Sequence, residues 1–238
     1  MTKIAHYFKP LVAACFAIAC FSCNNDGEKK DDKAPAEIKS TDAPVAFKPF
    51  KLMVVKHKVA NFAKWEAGYL AHDSIRNSYG ISKYRLGRGL DDSNMVIVIN
   101  IITDIAKTKE FIASPGLKKA MENSGVVGAP SISFLDVVRN DSSMIDQKVR
   151  LIVSHKVKDY DTWLKAFDNE GTATRKSFGL MDRALARGIE DPNMVYVAFA
   201  VTDMEKAKAR SASPEMKKIM TDAGVTGPPD IFMYRIVQ

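Results

Sequence analysis

From about residue 50 onward the chain alternates short β-patterned runs with longer amphipathic stretches, and it does so twice. Residues 52–59 and 149–157 alternate apolar and polar positions under β-favouring side chains, so each predicts a half-buried strand. Asn61 and Asp159 follow as N-cap types. Phe62 and Trp65, like Tyr160 and Trp163, stand three apart and share one helical face. This first helix is expected to run to about Asn77 or Lys176, with Gly80 or Gly179 at its exit. A second strand is expected to end near Gly89 and Gly188, before turns around Asp92 and Asp191-Pro192 that suit type I geometry. The third strand, 95–102 or 194–201, is almost wholly apolar and therefore reads as central, covered on both faces. Thr202-Asp203-Met204-Glu205 has the form of a capping box opening the second helical region. Ser114-Pro115 and Ser213-Pro214 restart a helix after a break, with serine at the cap and proline at the first helical position. Gly125 and Gly224 end it, and a Gly/Pro loop leads to a last strand over 132–138 or 231–237.

The two passes are copies of one another. Residues 80–138 lie over 179–237 without a gap at a shift of 99, giving 25 identical pairs in 59 positions. Upstream the shift is 98, so one extra residue falls between Trp163 and Gly179 relative to Trp65 and Gly80, and His57 meets His155. Self-similarity at a fixed period means that any site belongs in both copies or between them. Each copy has the order βαββαβ, which predicts an α+β fold with a four-stranded antiparallel sheet and its helices on one face. The other sheet face is too apolar for solvent, so the two sheets are expected to pack on one another within one chain. The expected organisation is a repeat over 50–138, a polar linker over 139–147 and a second repeat over 148–238.

The ends and the bulk composition change the picture in one respect. Lys3 and Lys9 precede an uncharged apolar run over 11–21, too short to span a membrane and followed at once by a polar tract. Residues 1–22 therefore read as an export signal resembling that of bacterial lipoproteins. Cys23 is the expected lipid attachment point and Cys20 the alternative. All three cysteines, Cys15, Cys20 and Cys23, lie in this leader, so the repeats have no thiol for a disulfide, zinc site or nucleophile. Residues 24–49 are rich in Asp, Lys, Glu, Ala and Pro and read as a tether, roughly 28 Å long as a coil. The expected place is the bacterial cell envelope, on the membrane through the acylated cysteine. The net charge of +7 comes from dispersed basic residues, which argues against nucleic acid as a partner.

The run His-Lys-Val followed by a cap and an aromatic, then Trp, Arg-Gly, Asp-x-Asn-Met-Val, Ser-Pro-x-x-Lys-Lys-x-Met and Gly-Val-x-Gly resembles the dimeric α/β-barrel superfamily, nearest its monooxygenase-like and cyclase-like group. The resemblance covers 51–138 and 149–237. It implies a barrel usually made by two chains and here by one, so that a monomer forms its own pseudo-dimer. It implies no particular chemistry. Haem-degrading members use an Asn on strand one, a Trp on strand three and a His on helix two; all three are missing here.

Candidate chemistry is sparse. His57 and His155 lie near the end of strand one on its apolar side, either bonded to backbone in a core or facing a cleft as a base or ligand contact. Trp65 and Trp163 are core residues or the aromatic wall of such a cleft. Arg88 and Arg187 either hold an anionic ligand or pair with Asp92 and Asp191 beside the turn. His72 occurs in one copy only and reads as a helix-surface residue. No metal spacing occurs among the four histidines, and no nucleophile elbow, P-loop or dinucleotide glycine pattern appears, so no metal and no cofactor is expected. Three readings remain: a binding module for a small apolar or aromatic ligand in each repeat, a cofactor-independent monooxygenase or cyclase, and a structural or partner-binding envelope lipoprotein.

Overall fold

The computed structural model describes residues 47–237. The expected export signal, Cys20, Cys23 and the tether as far as residue 46 lie outside the described residues. The first half holds strand β1 (Phe50–Val59), helices α1 (Phe62–Ala71) and α2 (Asp73–Ser78), and strands β2 (Ile81–Gly89) and β3 (Met95–Ile102). Helices α3 (Ile105–Ala113) and α4 (Pro115–Ser124) and strand β4 (Val126–Asn140) complete it. The second half repeats that order as β5 (Val149–Lys156), α5 (Tyr160–Glu170), α6 (Thr172–Ser177), β6 (Leu180–Gly188) and β7 (Met194–Val201). It closes with α7 (Met204–Ala212), α8 (Pro214–Asp222) and β8 (Asp230–Ile236). No helix among the described residues is long and apolar enough to cross a membrane.

All pairings between strands are antiparallel, and the strand order β1-β3-β2-β8-β5-β7-β6-β4 closes on itself. Each half contributes four strands in the ferredoxin-like order, and the halves join edge to edge through β2–β8 and β4–β6. Closure leaves no free sheet edge. The almost wholly apolar strands β3 and β7 are central in their halves, as their lack of alternation predicts. Every strand offers one face to the barrel interior and the other to helices. Leu52, Val54, Ile97, Ile99, Leu135, Val137 and Tyr234 form the interior core. Leu151, Val157, Trp163, Leu185, Val195 and Phe199 belong to the helix-side core of the second half.

Four local expectations are corrected. The first helix is broken in each half, at His72 and at Gly171. The extra residue of the second half is taken up at its break, where Gly171 has φ of 78°, a left-handed backbone that favours glycine. The box at 202–205 is not formed. Asp203 is the N-cap and its carboxylate accepts from the Lys206 amide, as Asp104 accepts from Lys107 in the first half, where Ala106 stands in place of Glu205. The last strand of the first half is 15 residues long and absorbs the Gly128-Ala129-Pro130 segment, whereas in the second half 226–229 remain outside the strand. The linker begins later than expected, because Arg139 and Asn140 still pair with Leu185 and Ala184. The serine caps are as expected: Ser114 and Ser213 side chains accept from Leu117 and Met216, each with proline next.

Candidate functional site

In each half a cleft opens between the outer face of the sheet and the helices. β1 carries His57 on this face, opposite Val96 of β3, and α1 lays Trp65 and Tyr69 across it one helical turn apart. The rings form a chain: His57 to Trp65 at 5.2 Å between centroids, and Trp65 stacked on Tyr69 at 5.2 Å. The Tyr69 hydroxyl donates to Asn100 Oδ1 at 3.2 Å. Asn100 sits in an otherwise apolar strand and is 1% exposed. Arg76 of α2 lies over the Tyr69 ring, and its guanidinium donates to the Tyr69 carbonyl and to Asp73.

The second half repeats the frame with different fillings. His155 lies 5.5 Å from Trp163, which stacks on Phe167 at 5.2 Å, and Arg175 covers Phe167. Phe167 and Phe199 occupy the positions of Tyr69 and Asn100, so the polar pair is gone. Arg210 replaces Phe111 and, with Arg175, binds the half-buried Glu170 at 3.0 and 3.4 Å. Ile219 and Ala166 stand where the first half has Ala120 and Gly68. The cleft volumes follow: about 320 Å³ in the first half and about 130 Å³ in the second. Gly68 packs closely on α4: a Cβ there would meet Ser124 Oγ at 2.3 Å, and the second half, with Ala166 at this position, has Ala223 in place of Ser124.

Both histidines are buried, at 7% and 6% exposure, and neither ring nitrogen of either has a hydrogen-bond partner. Burial pushes each imidazole down from 6.5 to about 4, so both are neutral near pH 7. A neutral imidazole carries one donor and one acceptor. His57 lines the roomier cleft, with both of its ring nitrogens buried. Burial also raises the Tyr69 hydroxyl above its ordinary range, which keeps it a donor.

The structure thus brings His57 with Trp65 and His155 with Trp163, each pair along one cleft wall. Arg88 and Arg187 line neither cleft. Their Nε atoms donate to the carbonyls of Ser93 and Pro192, and their guanidiniums cover Phe62 and Tyr160, bracing the turn against the first helix. They do not pair with Asp92 and Asp191, which Lys58 and Lys156 hold at 2.9 and 2.8 Å and keep below the usual carboxylate range. His72 lies at the break between α1 and α2 and lines the first cleft, its Nδ1 against the Gly68 carbonyl. Tyr69, Asn100 and Arg76 were not legible as site residues. The one signal was Asn100, a polar residue within an apolar central strand.

No protein-family model and no curated protein matches the chain. Solved structures do match. One, from Lactobacillus acidophilus and provisionally assigned as a monooxygenase, is 18% identical; the match covers 80% of this chain and 94% of that one, with a TM-score of 0.51. Another provisionally assigned monooxygenase, from Fusobacterium nucleatum, is 13% identical, over 80% and 93%, with a TM-score of 0.52. An anthrone oxidase-like protein is 13% identical, over 79% and 92%, with a TM-score of 0.50. At such identities the likeness is one of fold: the chain is an α/β-barrel of two ferredoxin-like halves, the architecture of these monooxygenase-like proteins.

Proposed function

We propose that this protein binds a small apolar or aromatic ligand in its helix-side clefts, with the cleft of the first half as the principal site. One observation carries the reading: His57 is buried beside a cavity of about 320 Å³ with both ring nitrogens unpartnered, whereas nearly all buried polar groups in proteins are hydrogen-bonded. Trp65 and Tyr69 supply a flat apolar wall, and His57 and the Tyr69 hydroxyl fix orientation, the usual division of labour in small-molecule sites. The second cleft is smaller and crossed by the Glu170–Arg175–Arg210 cluster, which suits a supporting role. In this reading the ligand is met at a bacterial envelope membrane, where acylated Cys23, or Cys20, anchors a monomeric chain.

The chain's two tryptophans each border one cleft, which makes the test direct. In a Trp163→Phe variant, Trp65 alone reports on the first cleft. Saturable quenching of Trp65 by members of a panel of planar aromatic compounds, lost in His57→Ala, is expected. No saturable quenching by any member of the panel overturns the reading. A second reading, catalysis of the cofactor-independent monooxygenase or cyclase kind, is favoured by the neutral imidazole of His57 beside the same cavity, since a neutral imidazole can accept a proton. It requires turnover of a bound compound that disappears in folded His57→Ala; unchanged turnover rejects it.

A further inference from the structure

The barrel interior holds a further cavity, separate from both clefts. At one end of it lie Arg85, Arg150 and Arg183, with Tyr84 and Tyr234, around a space of about 70 Å³. One water needs roughly 10–15 Å³ on the same measure, so a few waters or one small ion fit. The lining contains three guanidiniums and no carboxylate.

These charges are specific to their places. Arg150 is paired with Tyr234 across β5 and β8. The matching pair in the first half is Leu52 and Leu135, both apolar and buried. Repeat geometry therefore tolerates leucine there, and the fold does not require the arginine. Arg183 is the extra residue of a bulge in β6, and Tyr84 that of the matching bulge in β2. Bulges of this kind re-aim a side chain, and both residues line the cavity.

The charge balance is incomplete. Arg183 is matched by Asp141 at 2.8 Å and by Ser143, so it serves the connection between the halves. Arg150 is 4% exposed, and its Nη1 donates only to the carbonyls of Gln147 and Val149. Its Nε is buried without a partner. No described carboxylate lies within ion-pair distance of Arg150 or Arg85. Burial, then the charges of Arg85 and Arg183, push Arg150 below its ordinary range, the mark of a cation short of a counter-ion. A buried charge lacking its partner is strongly unfavourable. Guanidinium forks match oxyanions bidentately.

We propose that this end of the barrel binds one small oxyanion, a phosphate or a carboxylate, between the guanidiniums of Arg150 and Arg85. The site is independent of the clefts, which lie on the opposite face of the same strands. The test is calorimetric titration of the full chain in detergent with sodium phosphate and, separately, sodium acetate, at constant ionic strength set with chloride. One saturable site is expected. Phosphate alone points to a tetrahedral anion, and acetate to a carboxylate. Arg150→Leu, which installs the residue of the first half, is expected to weaken binding about 10- to 100-fold while leaving Trp65 quenching in the cleft unchanged. Should that variant not fold, Arg85→Leu carries the same expectation, since Arg85 has a long 3.4 Å hydrogen bond to the Tyr84 hydroxyl and lies over its ring, with no ion pair to a described carboxylate. No saturable heat with either anion, or undiminished affinity in the folded variant, overturns the proposal.

Discussion

Acid should unfold this protein through two histidines. His57 and His155 titrate at about 4 in the folded chain and near 6.5 once unfolded. Below pH 6.5 the unfolded chain therefore takes up protons that the folded chain refuses, and stability falls as pH falls until the folded value is reached. Near pH 4.5 the loss is about 2.5 kcal/mol for each histidine, or about 5 kcal/mol for the pair. That is a large part of the roughly 5–15 kcal/mol typical of a folded domain. The carboxylates held low by their partners, among them Asp92, Asp141 and Asp191, lose their contribution only as pH drops below 3.8, outside this window. Urea unfolding from pH 7.5 down to 4.5 measures the slope. The double variant His57→Leu, His155→Leu should be flatter by about 5 kcal/mol over that interval. An equal slope in the two proteins, or an imidazole signal of either residue titrating near 6.5 in the folded chain, would refute the reasoning.

Other perturbations separate packing from chemistry. Gly87→Ala places a Cβ 2.2 Å from the Tyr234 ring inside the barrel, and a loss of about 1–3 kcal/mol by thermal unfolding is expected. Gly116→Ala, with nothing within 4 Å, should instead stabilise by a few tenths up to about 1 kcal/mol. Glu170→Gln removes the carboxylate shared by the buried Arg175 and Arg210, which keep Asp182 and Glu215 as partners, and should lower stability by about 1–2 kcal/mol in chemical denaturation. Ser114→Ala and Ser213→Ala each remove a cap bond, and each should cost about 1 kcal/mol in chemical denaturation.

The polar and apolar pattern carried the fold a long way. Strand limits at Met95–Ile102 and Met194–Val201 and the serine caps are local properties, written in β-favouring runs and in Ser-Pro pairs. The order βαββαβ and its repetition then left one economical way to cover two apolar sheet faces. The helix break at His72 was less legible, because neither glycine nor proline stands there. The length of β4 was hidden for a similar reason: Gly128 and Pro130 read as a loop, yet β4 carries 128–130 as a bulge opposite His57 of β1, between the pairs Lys56–Ser131 and Lys58–Val127.

The sequence by itself determined two matching βαββαβ halves, their serine caps, and a His and a Trp recurring on an apolar face of each. Only the tertiary structure decided what those pairs face. Cavity volume depends on residues far apart in the chain: Gly68 against Ser124, Tyr69 against Asn100, and in the other half Glu170 against Arg210. The same holds inside the barrel, where closure through β2–β8 and β4–β6 gathers Arg85, Arg150 and Arg183 around one space. Periodicity tells which face a side chain takes, because that is set by the backbone beneath it. Whether the space before that face is filled, polar or charged depends on side chains brought there by long-range contacts, and no local pattern encodes it.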